Sequence, residues 1–477
     1  MLFSSLIFLF TFLPIVLILY YLSPNKGKNL ILMISSIVFY AWGGVSLTSV
    51  LIISIIGNYF LGIWINVTKE KSKLAITLGI IFNLLLLGTF KYGNFIVENI
   101  NFLLQEFNLK PVKDPGIILP LGISFFTFQA MSYLIDVYRS EVKVQKNLFY
   151  LALYISFFPQ LIAGPIVRYH ELSPQLTNRK ETLNNFSKGI ERLMLGLMKK
   201  VIVANQFAIL AREVYQIPAD ALPQSLAWIG AISYSFQVYF DFSGYSDMAI
   251  GLGLLFGFKL PENFNFPYLA TSIRDFWRRW HITLGKWFTS YLYIPLGGNR
   301  KGTLRTYANL LIVFIVCGLW HGANWNFLIW GLIHGFFMTI ERLWFEKNVL
   351  QKIAKPFSIL YMFFVVTIAR VFFETNTFGN AIAFLKVLFT GNSNIVEFNI
   401  SNKIINPEFL VIAIPAILGA FGFFPWLSKQ FNIYMPTIFW GNKLKAAIKT
   451  IAVIATMLIV TILLISDTYN PFIYFRF

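Results

Sequence analysis

The sequence predicts an all-α polytopic membrane protein of about 11–13 transmembrane or re-entrant helices, at roughly 20 residues each plus loops. Three observations carry that prediction. Of 477 residues, 57% are hydrophobic and only 13% charged, where a soluble domain carries about 25% charged residues; mean hydropathy is +0.66. The apolar residues gather in repeated runs of roughly 20, each long enough to cross a hydrocarbon core of about 30 Å. Lys and Arg, which set a net charge of +18, collect in the loops between runs, and the positive-inside rule accounts for them without nucleic acid. Other classes fall on the same grounds. Disorder needs low hydrophobicity. A disulfide scaffold or thiolate metal cluster needs several cysteines, and Cys317 stands alone. A β-barrel would alternate apolar and polar residues over segments of roughly 10.

Loop charges set the orientation. Residues 1–22 lack a basic n-region and a small-residue cleavage site, so they are expected to stay as a helix. Lys26 and Lys28 place the next loop in the cytoplasm. Spans near 30–42 and 47–65 return the chain to a second basic loop, Lys69, Lys71 and Lys73. A span at 74–90 leads out to a polar stretch, 98–115, and a span at 117–138 comes back to Arg139, Lys143 and Lys146. The run 157–165 holds two prolines and a glycine between basic loops, which suggests a re-entrant segment. In residues 261–305, Arg274, Arg278, Arg279 and Lys286 alternate with Phe276, Trp277, Trp280, Trp287 and Phe288, a pattern suited to the cytoplasmic interface. Apolar spans resume at 310–320, 327–340, 357–373, 409–424 and 448–465. Lys443, Lys445 and Lys449 put the start of the last span inside and the tail after it outside. With no short repeat and no Gly/Ser linker, residues 1–477 are expected to form one membrane domain.

Ionisable groups at membrane depth are expensive and mark function by default. His321 lies in Cys317-Gly318-Leu319-Trp320-His321-Gly322-Ala323-Asn324-Trp325-Asn326. A lone histidine is usually a satisfied core residue. Here Gly318 and Gly322 at helical spacing would open room beside it, and Trp320 and Trp325 would wall a cavity. His281, in the interfacial stretch, is as compatible with facing headgroups as with chemistry. His334 stays open between structure and function, and His170 in its basic loop is expected to be solvated. Asp241 and Asp247, six residues apart around Gly244, suggest a broken helix. They fit either an ion site or, preferably, scaffold bonds to arginines. The aromatic run 470–477 is either an interfacial anchor or a segment inserted into the protein.

Several motifs together resemble one family. DFSGYSDMAIG (241–251), FNFPY (264–268), RDFWRRWH (274–281), YLYIPLGGNR (291–300) and GLWHG (318–322) are similar to the membrane-bound O-acyltransferase (MBOAT) superfamily. The likeness is to its branch for alginate O-acetylation and teichoic-acid D-alanylation. LPLGISFFTFQAMSYLIDVYR (119–139) and FFPQLIAGPIVRY (157–169) also resemble that branch. The resemblance implies an MBOAT-like helical bundle around a tunnel, with its signature region at about 240–340. It implies that His321 is the family histidine deep in that tunnel. His281 takes a place where eukaryotic relatives carry asparagine. FIYFRF (472–477) looks like the aromatic motif of the small partner protein in D-alanylation, whose tyrosine carries the acyl group; Tyr474 holds that position here.

The expected reaction moves an acetyl group from a cytoplasmic thioester, acetyl-CoA or another acyl carrier, to an extracytoplasmic polysaccharide. A phenol with a pKa near 10 makes an activated ester, so Tyr474 suits a middle carrier. A histidine near 6.5, held neutral by burial, suits its base. His321 is expected to deprotonate Tyr474, and His281 to position the donor or polarise its carbonyl. Arg278, Arg279 and Trp280 are placed on the donor side. No metal is expected. With no second Ser-His-Asp site visible, the resemblance implies an extracytoplasmic, SGNH-hydrolase-like acetyltransferase partner in addition to the polysaccharide, with membrane lipids around the chain in a bacterial inner membrane. A D-alanyl or lipid O-acyltransferase is the alternative within the family; an ion-coupled transporter using Asp241 and Asp247 is the alternative outside it.

Overall fold

The computed structural model describes residues 1–67, 72–391, 406–434, 439–466 and 472, and these are helical with no strand among them. The helices are α1 (Phe8–Leu22), α2 (Lys28–Ala41), α3 (Val45–Val67), α4 (Ser72–Glu106), α5 (Ile123–Tyr138), α6 (Leu148–Ser156), α7 (Leu183–Gln216) and α8 (Gln224–Leu255). They continue with α9 (Ile273–Arg279), α10 (Ile282–Phe288), α11 (Thr303–His321), α12 (Trp325–Ile340), α13 (Lys355–Glu374), α14 (Phe378–Thr390), α15 (Pro407–Ala420), α16 (Phe423–Tyr434) and α17 (Phe439–Ser466). Among the described residues six helices are long and apolar enough to cross a membrane alone: α3, α4, α7, α11, α13 and the 446–466 part of α17. The bent pair α15–α16, with a 73° turn, makes a seventh. That is fewer than the 11–13 segments the sequence predicts. The difference lies in short apolar helices such as α1, α2 and α14, and in α5 and α8, which are largely buried inside the protein.

Two sequence expectations change here. α7 was not expected as a span, because Lys188, Glu191, Arg192, Lys199 and Lys200 break its apolar run. It is a single apolar path of 34 residues with a π-helical turn at Met198–Ala204. Its charges turn inward to α8. Lys200 meets Asp241 at 2.7 Å, while Lys199 and Arg192 meet Asp247 at 2.6 and 2.7 Å. α8 is also not broken at Gly244; it runs unbroken for 32 residues. Gly244 serves close approach. A Cβ there would fall on the carbonyl oxygen of Gly196, and one on Gly251 would fall on that of Gly189. The two glycine pairs recur at the same interval on both antiparallel helices, so the backbones touch along one seam. Small residues let membrane helices pack this way. The carboxylates are therefore scaffold clasps, and the transporter alternative loses its ion site.

The tryptophan-rich stretch is not a surface helix either. α9 and α10 are short, and Phe276, Trp280, Trp287 and Phe288 are buried. Glu341, itself buried, caps α9 by accepting from the backbone N–H groups of Ile273 (2.7 Å) and Arg274 (3.0 Å). Residues 157–165 are buried and mostly irregular, apart from the short helix Phe158–Leu161. Non-helical backbone at membrane depth is tolerated in such a place.

The seam predicts a clear mutational outcome. In an exposed helix, Gly→Ala adds helix propensity of about 1 kcal/mol. Gly244→Ala instead forces backbone against backbone and is expected to destabilise by about 1–3 kcal/mol. Thermal unfolding of the detergent-purified protein reads the sign directly.

Candidate active site

His321 is the last residue of α11, and its ring is buried. The centroids of Trp330, Trp320 and Phe373 lie 4.9, 5.0 and 5.3 Å away. Of the flanking glycines, Gly322 lines a cavity, while Gly318 serves close packing of helices. A Cβ on Gly318 would fall on the carbonyl oxygen of Phe327, and one on Gly331 on that of Phe314. They let α11 and α12 touch, which fixes where His321 points. Trp320 walls the site. Trp325 does not; it is exposed and donates to Asn99 (3.0 Å).

His281 sits between α9 and α10 in a left-handed conformation, φ +44°. A bulky residue there is strained, and such strain clusters at functional sites. Asn263 holds it. The side-chain oxygen of Asn263 accepts from the Thr283 backbone N–H (3.2 Å) and hydroxyl (2.9 Å), and its amide donates to Ser246 (3.1 Å). That oxygen is therefore an acceptor, so the 3.1 Å contact from His281 Nδ1 is an N–H donated to it. The proton is on Nδ1, and Nε2 presents a lone pair. Nε2 is buried with no hydrogen-bond partner among the described residues. A neutral imidazole in this tautomer accepts at Nε2 and cannot polarise a carbonyl, which removes one of its two expected roles. The centroid of Trp320 lies 6.1 Å from that of His281 and 5.0 Å from that of His321. The two histidines thus share one indole as neighbour.

His334, also buried, accepts at Nδ1 from Trp277 Nε1 (3.3 Å). A cavity of about 20 Å³ joins it to His321, Arg370, Trp280 and Trp330, room for about one water. His170 is not simply solvated; its Nδ1 bonds Asp136 at 2.9 Å. Asp136, His170 and Glu141 bring possible metal-ligating atoms within 4.8 Å of one another. Asp136 also accepts from Tyr291 (2.7 Å), and Arg139 pairs with Glu141 (3.8 Å).

Two larger cavities reach the chain on either side of His321, at Cys317 and at Gly322, without being lined by it. One, of about 550 Å³, runs beside α11 as far as Cys317 and is lined by Arg168, Arg274, Arg278, Lys286 and Arg342. Arg168 pairs with Glu171 and Arg274 with Glu346. Arg278, Lys286 and Arg342 make no ion pair among the described residues. Of the expected donor-side residues, Arg278 lies here. Arg279 does not, because Asp275 holds its guanidinium at 3.0 Å. Nor does Trp280, which packs 4.6 Å beneath Arg370. The second cavity, of about 330 Å³, lies beyond the end of α11 and is lined by Lys91, Asn94, Glu98, Gly322, Asn324 and Glu374. α4, α11 and α13 all start at basic loops and end at this cavity. By the positive-inside rule the arginine cavity is cytoplasmic and this one outer.

A family model for MBOAT, the membrane-bound O-acyltransferase family, matches residues 35–384. The chain belongs to that family. A probable alginate O-acetylase AlgI of Pseudomonas putida is 39% identical over 499 residues, covering 100% of both chains. One from Azotobacter vinelandii is 44% identical over 377 residues, 78% of this chain and 75% of that protein. A peptidoglycan O-acetyltransferase of Helicobacter pylori is 40% identical over 422 residues, 81% of this chain and 79% of its own. This membrane-bound O-acyltransferase is thus a multi-pass membrane enzyme with two buried histidines beside one tryptophan, His321 lining two small cavities of about 70 and 20 Å³.

Of the expected catalytic residues, the structure brings His321 and His281 together. Tyr474 lies outside the described residues. Phe472, two positions before it, is buried and stacks on Tyr245 at 4.5 Å. Tyr245 follows Phe242 by nearly one turn of α8, and Phe242 packs on His281 at 4.7 Å. Phe472 is thus inserted into the protein and is no surface anchor. Sequence reasoning missed Lys91, Asn263 and Arg370. Arg370 is an ionisable residue inside an apolar run, a signal that would have found it; Lys91 stands at the edge of one.

General-base assistance is worth about 10²–10⁴-fold. His321→Ala is expected to lose acyl transfer by that order in a steady-state assay, with the arginine cavity intact. Asn263→Ala frees His281 from its tautomer and is expected to lower turnover at least about tenfold.

Proposed function

We propose that this enzyme moves an acetyl group from acetyl-CoA or another acyl thioester at the cytoplasmic face to an extracytoplasmic polysaccharide, with acetyl-Tyr474 as the intermediate carrier. The observation that carries the reading is the placement of His321 on α11: a cavity lined by unpaired cations reaches Cys317 one turn before it, the outer polar cavity begins at Gly322 just after it, and His321 itself lines a small cavity that shares Lys91 and Leu119 with the outer one. Cations without carboxylate partners suit a donor bearing several phosphates, and Arg–phosphate contacts are strong and oriented. The narrow aromatic surroundings of His321 suit a two-carbon acyl group. The names of the relatives support acetyl as that group and an envelope polysaccharide as the final acceptor.

In the proposed step, His321 takes the phenolic proton as the oxygen of Tyr474 attacks the thioester carbonyl. The C–S bond breaks, and the leaving thiolate takes the proton back from His321. The products are a free thiol and acetyl-Tyr474. His281 positions the donor by accepting an amide N–H of its arm at Nε2. A sugar hydroxyl then takes the acetyl group and restores the phenol. This second transfer belongs to an extracytoplasmic, SGNH-hydrolase-like partner. The insertion of Phe472 beside the helix that packs on His281 supports the route through Tyr474. The enzyme would work in the bacterial inner membrane, without a metal.

Intact-mass analysis of purified protein incubated with acetyl-CoA tests this. The wild type is expected to gain one acetyl group on the 470–477 segment, and His321→Ala and Tyr474→Phe none. A wild type without an adduct that still acetylates glycan would contradict the relay.

A further inference from the structure

The helix that ends on His321 is held by a residue far away in sequence. The last four carbonyls of any helix lack intrahelical partners, and in α11 these belong to Gly318, Leu319, Trp320 and His321. Gly318 accepts from the Gly322 N–H at 3.4 Å. Leu319 accepts from the Tyr92 hydroxyl. Trp320 and His321 both accept from Lys91 Nζ, the latter at 3.1 Å. The remaining Lys91 donor goes to the hydroxyl of Ser124 at 3.1 Å.

Lys91 and Tyr92 stand in a π-helical turn, Gly88–Tyr92, inside α4. Such a turn adds a residue to the helix and re-aims its side chains; π-turns recur at functional sites. Lys91 is buried, and no carboxylate lies within ion-pair distance of it among the described residues. A lysine at a helix C-terminus interacts favourably with the helix dipole as well as with the carbonyls. Lys91 also lines both the outer cavity and a smaller one of about 70 Å³ that reaches His321 and Trp320. It forms the wall between them.

We propose that Lys91 is a positioning residue for catalysis, which fixes the end of α11 so that the His321 imidazole stays against the small cavities it lines. The inference rests on His321 being the base. Tyr92 supplies the second hold. A misplacement of about 1 Å costs on the order of 10²-fold in rate, and without Lys91 two carbonyls of the terminal turn lose their partners.

Lys91→Met keeps the length of the side chain and removes its donors; Lys91→Arg restores donors. Two readouts are needed. In the full-length purified protein, Lys91→Met is expected to raise amide hydrogen exchange in peptides spanning 317–325, while Lys91→Arg leaves it near wild type. In the transfer assay, Lys91→Met is expected to lose about 100-fold in kcat with donor KM within about twofold, and Lys91→Arg to recover most of it. Tyr92→Phe, which removes one carbonyl partner only, is expected to show the same pattern more weakly and serves if Lys91→Met does not fold. Unchanged exchange, or faster exchange with unchanged kcat, overturns the proposal. A fully active His321→Ala measured alongside overturns the base assignment and the proposal with it; a dead His321→Ala beside a fully active Lys91→Met overturns the proposal alone.

Discussion

A helix terminus buried in a membrane protein needs partners for its free carbonyls, since no bulk water reaches them. The end of α11 meets that requirement with a glycine N–H, a tyrosine hydroxyl and a lysine from another helix. Because the last carbonyl belongs to His321, the bonds that keep the terminus intact also place the imidazole. The outer cavity and the small one beside His321 then share Lys91 as their wall. The site depends on this fixed end; a frayed terminus would move the imidazole away from the small cavities it lines.

The surrounding scaffold uses two devices to tolerate charge and close packing at depth. Glycine pairs bring α7 to α8 and α11 to α12 until backbones touch. Along the first seam, Lys199, Lys200 and Arg192 neutralise Asp247 and Asp241. The Lys200–Asp241 pair is buried, so removing one of its partners is far costlier than the pair is stabilising. Their position on α8 matters to chemistry because the same helix supplies Ser246, Phe242 and Tyr245. Ser246 steadies Asn263, Phe242 packs on His281, and Tyr245 receives Phe472.

Much of this was legible in the sequence, and the misreadings share one cause. The helical class followed from the apolar runs, and the aromatic walls around His321 from a histidine among tryptophans and glycines. Gly244 was misread as a breaker because a glycine's lack of a side chain looks the same whether it permits a bend or a contact. α7 was hidden because its cations reduce apparent hydropathy, and only the folded chain shows carboxylates waiting for them on α8. The tryptophans of α9 and α10 looked interfacial, since amphipathic composition does not say whether a charged face meets headgroups or a cavity. Lys91 was lost at the edge of an apolar run, where a lysine usually marks a loop. The tautomer of His281 depends on Asn263 and Thr283, and no periodicity announces such a contact.

The central claim is that the acyl group crosses from the arginine-lined cavity to the outer one past His321. Reconstitution into vesicles of known orientation tests it, with labelled acetyl-CoA supplied to one compartment and a membrane-impermeant nucleophile to the other. The account predicts label on the nucleophile only when the donor faces the side bearing Arg278, Lys286 and Arg342, and no label with His321→Ala. Label that stays on the donor's side, or transfer that is equal from both faces, would contradict it.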